Sequence, residues 1–582
     1  MYSIKKAFAS SKGFLKYLFM SNNYQQPLME KTNKTNLKKA LIFSFLGIIG
    51  LLLVISTIGF WSLKPMLSKR IKTAVLESTD NLYHLDFKDI NYNVISGNAR
   101  VLGVIWRADS MVFDSLRKAK RLPDNVYQGK VNEIKLSGLH PWKIFFSNKL
   151  ELGTISITDP DVELLHEKQS YNSIKTAKSP YQIISKFVKS FSVNKIVFQN
   201  INFVYLNQAK PKKQQISKIE NLDLEVSDLL IDSTSDKDKQ RFYYTKECVF
   251  SLKKVQVPSQ DSLNTIKINE LLFSTKTRSL SMKNLVVQPR FKEMEYSVRT
   301  NGDDRIGIIF NDIKLSEINI EKLFKDKKIY ADKLQINEGK LSVFTDTRIF
   351  NVPPKAPYRP FPHEAFRDWN LKFMIDDVKM KNFNIIYSEY NPETKSVGNV
   401  IFKKVTGNIK NFTNDTLTLK NNPNCQVIFN GYLMNKAAIT LKFDFDMMAP
   451  KSDFVFIGNV KKMEIPHLNQ VTSSLGFARA EKGTLNEFTC NLKGDKYGLK
   501  GSATMLYQDL NITILKKGDE PGLKKRKLLS FFANEFVIKD GNPLGKQPVR
   551  VSNIQYERIP TKPFFYTLWK GILSGITKSV MG

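Results

Sequence analysis

Cysteine is nearly absent: Cys248, Cys425 and Cys490 are the only three in 582 residues, far apart and odd in number. That excludes a disulfide framework and a CxxC metal knuckle. Histidine is as sparse. His84, His140, His166, His363 and His467 are dispersed, and none has a Cys or His partner at metal-ligand spacing. No GxGxxG, P-loop, HExxH or GxSxG occurs, and the stretch Gly541 to Lys546 lacks the spacing and the following Ser or Thr of a phosphate loop. The dipeptides His363-Glu364 and His166-Glu167 read as coincidence. The acid pairs Asp303-Asp304 and Asp376-Asp377 read as solvated charge in turns or on a wet face. No catalytic residue, metal ligand or cofactor is nominated, and the chain is expected not to be an enzyme.

Acidic residues are outnumbered, 55 against 89 Lys and Arg, for a net charge of +34. A field of that sign attracts anionic partners such as lipid headgroups, and lysine also blocks exposed sheet edges. Charge-free runs are rare, with one long exception. Residues 40–63 hold 24 positions without a charge, bordered by Phe60, Trp61 and Lys64. At about 1.5 Å per residue this run exceeds a hydrocarbon core of roughly 30 Å, so it predicts a transmembrane helix. The 39 residues before it carry eight lysines and one acid, Glu30, which places the N-terminus in the cytoplasm and the body outside it. The basic body is then out of reach of cytoplasmic nucleic acid, and no nucleic-acid partner is expected.

A seven-point apolar pattern recurs four times, with steps of two, three, two, three, two and two. It runs through Leu150, Leu152, Ile155, Ile157, Pro160, Val162 and Leu164, and again from Phe191 through Val193, Ile196, Phe198, Ile201 and Phe203 to Tyr205. The other copies span Ile329 to Val343, including Leu334 and Ile336, and Phe373 to Tyr387, including Ile375, Phe383 and Ile385. On a helix these positions scatter around the wheel. On a strand, steps of two hold one face, and each step of three flips the side chains unless a bulge absorbs the extra residue. The result is a sheet builder with one greasy face and one wet face.

The expected order is a cytoplasmic basic segment 1–39, the span 40–63, a first β domain 64–350, a Pro-rich linker 351–362 and a second β domain 363–515. A basic loop with last strands follows at 516–559, then an amphipathic helix at 560–582. In that helix Phe564, Phe565, Leu568, Trp569, Ile572 and Lys570 suit either a membrane interface or a cap on the protein's own sheet.

The anchor followed by LDFKDINYNVISGNARVLGVIW, then VNEIKLSGLHPWKIFFSNKLELGTISITDPDVELL, and the later stretch from FIGNVKKMEIPHLNQ to LYQDLNITIL resemble the AsmA family of bacterial envelope proteins. That family is related in architecture to TamB-like, repeating β-groove proteins. The resemblance implies a mainly β fold: a single N-terminal transmembrane helix, then a long twisted antiparallel β-groove or sandwich, then the C-terminal helix. It implies an inner-membrane protein facing the periplasm, with membrane lipids, phospholipid or glycolipid, as partners. An outer-membrane or other envelope protein would be a further partner. The lipid-groove residues expected are Leu152, Ile155, Ile157, Phe198, Phe203, Leu334, Ile336, Ile375, Phe383 and Ile385. The alternative function is an envelope scaffold that binds proteins at its sheet edges.

Overall fold

The computed structural model describes residues 68–581 except 170–178, 208–214, 349–357, 515–537 and shorter stretches elsewhere. The protein is mainly β, and its strands are mostly antiparallel. The described residues form two compact units. One runs to Lys253 and takes in Leu271–Thr277; the other comprises Lys254–Glu270 and everything from Arg278.

In the first unit β1 (Tyr83–Asp86) and β2 (Asp89–Asn93) both pair with β3 (Asn98–Ala108). Helix α1 (Ser110–Lys118), capped by the Asp109 carboxylate, leads to β4 (Asn125–Ser137). β4 lies antiparallel between β3 and β5 (Lys149–His166). β5 then runs parallel to β6 (Ser190–Asn207), with α2 (Pro180–Ile184) in the connection. Antiparallel β7 (Gln215–Ile231) and β8 (Glu247–Pro258) follow.

The second unit starts with β9 (Asn264–Ser274), which ends in the first, then β10 (Ser279–Pro289), α3 (Glu293–Arg299), β11 (Arg305–Ser316) and β12 (Ile329–Asp346). β12 pairs antiparallel with β11 and parallel with β13 (Phe373–Asn391), and α4 (Pro362–Arg367) lies in that connection. β14 (Ser396–Thr413), α5 (Thr416–Asn421), β15 (Asn424–Leu433), β16 (Ala437–Asp446), β17 (Phe454–Val460) and the short β18 (Met463–Glu464) come next. Helix α6 (Asn469–Leu475), β19 (Ala478–Gly494), β20 (Gly498–Ile514), β21 (Ser552–Glu557) and α7 (Phe564–Met581) complete the chain. From β13 to β21 the pairing is antiparallel in chain order, with β17 and β18 both on β19. Of the last strands expected within 516–559, the described residues 538–559 hold one, β21, and residues 516–537 lie outside the described residues.

Two parallel pairings depart from an all-antiparallel sheet. A parallel connection needs a dozen or more residues, and the chain supplies them at 167–189 and 347–372. The Pro-rich stretch therefore sits inside a crossover: β12 and β13 pair in register on either side of it. Residues 351–357 of that stretch, and the expected span 40–63, lie outside the described residues.

The four sequence copies are these two parallel pairs. Leu152 lies opposite Val193, Ile155 opposite Ile196 and Ile157 opposite Phe198; Leu334 lies opposite Val378, Ile336 opposite Met380 and Leu341 opposite Ile385. The second three-residue step is absorbed in the same way each time. The residue before the fifth apolar position has left-handed backbone: Asp159 (φ 51), Asn200 (φ 57), Glu338 (φ 56) and Asn382 (φ 51). The extra residue leaves the pleat, and the next apolar side chain returns to the same face. Asn and Asp suit the position because their short polar side chains bond locally. Asn132 donates to the Asp159 carboxylate at 3.3 Å, and Asn311 to Glu338 at 3.4 Å. Matching left-handed residues, Asn221 on β7 and Lys404 on β14, restore the register one strand further on.

Both units thus follow one plan. The series β3, α1, β4, β5, α2, β6, β7 corresponds to β10, α3, β11, β12, α4, β13, β14. Pro180 and Pro362 open the two crossover helices, and Gln182 and Glu364 each accept the N–H of the residue that caps them, Ser179 and Phe361. The echo persists in sequence at Asn132 to Ser137 (NEIKLS) and Asn311 to Ser316 (NDIKLS).

Candidate functional site

Directly opposed residues share a face, so the register joins apolar positions into rows that cross the strands. In the first unit one row runs Val101, Ile134, Ile157, Phe198, Leu224, Phe250. In the second a row crosses from Leu280 on β10 through Leu315, Leu334, Val378, Ile409, Val427, Phe443, Phe456, Leu492 and Gly501 to Ile554 on β21. At about 4.8 Å per strand such a row is roughly 48 Å long.

Coverage of this face is uneven. In the first unit, positions before the left-handed line, Leu150, Leu152, Ile155, Ile157, Phe191, Val193 and Ile196, are at most 4% exposed. Ile184, Val188 and Leu139 close over them in one core. Beyond the line Val162, Ile201, Phe203 and Tyr205 are only half-buried. In the second unit Leu334, Ile336, Leu341 and Val343 on β12 are half-buried, as are Met380 and Ile385 on β13. Of the ten expected groove residues, Leu152, Ile155, Ile157, Ile375 and Phe383 belong to the protein's own core. Each such fully buried side chain stabilises the fold by about 1.5–3 kcal/mol, which a ligand would have to displace. Phe198, Phe203, Leu334, Ile336 and Ile385 retain access.

Helix α7 packs on β20 and β21. Phe564 and Leu568 are buried, and the Phe564 ring lies 5.2 Å from both Phe361 and Phe454. Gly571 and Gly575 permit this close seat: a Cβ there would come 2.6 Å from Leu499 and 2.7 Å from Ile554. Trp569, Lys570 and Ile572 are half-buried, and Phe565 is exposed. The helix caps its own sheet. Among the described residues no helix is long and apolar enough to cross a membrane.

In the two pairs Asp303-Asp304 and His363-Glu364, the residues Asp304, His363 and Glu364 are buried. Asp304 is 3% exposed, accepts from Thr345 Oγ1 at 2.8 Å and lies 3.6 Å from Arg359, which also reaches Asp303. Glu364 accepts from Tyr358 (2.9 Å), Ser452 (2.7 Å) and the Phe361 N–H (2.5 Å). Burial opposes its ionisation, but the hydrogen bonds from Phe361, Ser452 and Tyr358 win and hold its carboxyl below the usual range. Arg558 donates to Tyr358 and to the Arg359 carbonyl, with its guanidinium 3.9 Å from the centre of the Phe361 ring. These contacts bring together segments distant in sequence, which is why residue-by-residue patterning reads Asp303-Asp304 as wet and His363-Glu364 as coincidence. Asp376 does face solvent, and Asp377 pairs with Lys410 at 2.9 Å.

The cluster pins the β12–β13 crossover to the turn before β11, to Ser452 and to the segment after β21. Burial pushes the Cys425 and Cys490 thiols up to about 12, so neither is a ready nucleophile. Among the described residues no group of three or more His, Cys, Asp or Glu side chains could hold a metal ion.

Sequence patterning gave no signal for a second feature. Trp106 and Tyr127 stand on the distal apolar face of the first unit, opposite Gly129 and Leu164 respectively. The indole Nε1 and the Tyr127 hydroxyl are both buried without a hydrogen-bond partner among the described residues. Only the register, which needs coordinates, sets them on one face.

Fold and face define a mainly β protein with an internally repeated unit and a partly uncovered apolar face. Compared with known proteins, the chain matches no family model and no curated protein.

Proposed function

We propose that this chain is an AsmA-like, inner-membrane-anchored periplasmic protein that binds or conducts lipids and supports outer-membrane biogenesis. Its sheets form a twisted groove whose half-covered face takes acyl chains. The observation that carries this reading is the set of large aliphatic and aromatic side chains, Leu334, Ile336, Leu341 and Ile385 in one unit and Phe198 and Phe203 in the other, left half-buried on an otherwise apolar face. Covering such surface with an acyl chain gains about 0.8 kcal/mol per buried methylene. The charge-free run at 40–63 supports an anchor, and the excess of lysine supports attraction to anionic headgroups. No nucleotide motif occurs in the sequence, so the motive force for transfer comes from a partner.

Photo-crosslinking side chains at Phe203 and Ile385, with the exposed Lys379 on the opposite face as control, test this in intact cells. Lipid adducts at the first two and none at the control are expected. Protein adducts alone at Phe203 and Ile385 would replace the lipid function by an envelope scaffold.

A further inference from the structure

We infer that the distal face of the first unit binds the ester carbonyl of an acyl lipid, with the Tyr127 hydroxyl and the Trp106 indole N–H as its donors. The assignment rests on the lipid reading above and names the chemistry of one site within it.

Tyr127 is 8% exposed, and neither its hydroxyl nor Trp106 Nε1 has a partner among the described residues. Leaving such a group bare costs about 1–3 kcal/mol, so a fold that only needed to fill space would place an apolar side chain there. The second unit does so. By register, Trp106 opposes Gly129, which opposes Val162, which opposes Phe203; in the second unit Val287, Ile308, Leu341 and Ile385 occupy the same places. Tyr127 likewise corresponds to Ile306, through Leu164 and Val343. The same strand plan is thus built with Val287 and Ile306, both buried, where the first unit carries an indole and a phenol. Gly129 makes room for the indole, since a Cβ there would lie 2.7 Å from the Trp106 ring.

The surroundings select the ligand. The rows through Trp106 and Tyr127 contain no charged residue: Val162, Phe203 and Ile219 continue one, Leu164 and Tyr205 the other. The Tyr127 backbone N–H donates to Tyr83 Oη at 3.1 Å, while the Tyr127 hydroxyl itself has no partner among the described residues. Burial above all, then the neighbouring Tyr83 and Tyr205, push the Tyr127 phenol far above its ordinary range, so it is a neutral donor at any physiological pH. Neutral donors on an apolar face, without a cation, suit a neutral acceptor carried on a hydrocarbon chain. An ester carbonyl has that chemistry; a phosphate or a carboxylate would be buried without a counter-charge.

The test compares dioleoyl phosphatidylcholine with its dialkyl-ether analogue, which keeps headgroup and chains but lacks both carbonyls. Binding to the full chain in detergent is read by native mass spectrometry. The ester lipid is expected to bind roughly tenfold tighter. The double variant Tyr127→Phe, Trp106→Phe is expected to lose that preference and to bind the ester and the ether lipid with equal affinity. Equal affinities for native protein, or a preference that survives in the variant, overturn the carbonyl site and leave the lipid reading standing. Binding of neither lipid removes both. Thermal unfolding of Tyr127→Phe alone supplies a second check: its midpoint stays level or rises, because a bare hydroxyl is removed, whereas a clear fall shows an internal partner and overturns the assignment.

Discussion

Asn382 on β13 and Lys404 on β14 are left-handed residues on either side of the Phe383–Val405 pair, φ 51 and 50, each the extra residue of its own strand. Between Met380 and Phe383 the register advances three residues against two, and between Phe383 and Ile385 two against three. The two irregularities cancel. Phe383 and Ile385 therefore stay on the apolar face in line with Val405 and Phe402.

A β-branched residue cannot adopt that backbone cheaply. Asn382→Val is expected to lower stability by about 1–3 kcal/mol, while Asn382→Gly stays within a few tenths of the native value. Urea midpoints decide it, and equal midpoints for the two variants would refute a conformational origin.

His363 gives the second unit an acid-sensitive point. It is 2% exposed, with its ring 4.9 Å from that of Phe445, and burial drives its imidazole down to about 4. A base whose folded value is depressed favours the neutral form. Its contribution is whole above the unfolded value of about 6.5 and is lost progressively as pH falls from there toward 4. Urea midpoints of the native protein should drop between pH 7 and pH 5. His363→Phe should flatten part of that slope, and an identical slope in both would show that other groups carry it.

The seat of α7 is tested by size. Gly575→Val places methyl groups against Ile554 and Ala503, where even a Cβ is 2.7 Å and 3.3 Å away, and is expected to cost about 1–3 kcal/mol. Phe565→Ser, on the exposed face, should change stability by no more than about 0.5 kcal/mol. Thermal unfolding of the two variants measures this, and comparable losses would mean that the helix is held by its other face.

Much of the strand plan is legible in the chain. The two-and-three stepping marks β5, β6, β12 and β13, and its second three-residue step marks where the backbone bulges. Asp159, Asn200 and Asn382 are the residue types such a bulge favours; Glu338 is not, and only the strand context puts it there. Parallel pairing is not legible, because an apolar face looks the same whichever way the neighbouring strand runs. The reading of Asp304 as wet and of His363-Glu364 as coincidence fails for a related reason: Arg359, Thr345, Ser452 and Arg558 come from elsewhere in the chain. Leu152 and Ile155 share a face with Phe203 in the pattern, yet the α2 crossover covers only the former. The NEIKLS and NDIKLS segments were the available clue to the doubled plan.

A chain that carries two renderings of one scaffold contains its own reference state. Exchanging a residue in one half for its counterpart in the other, such as Ile306 for Tyr127, asks what chemistry was added to a shape that already works without it. Its own two halves thus supply the comparison, position by position.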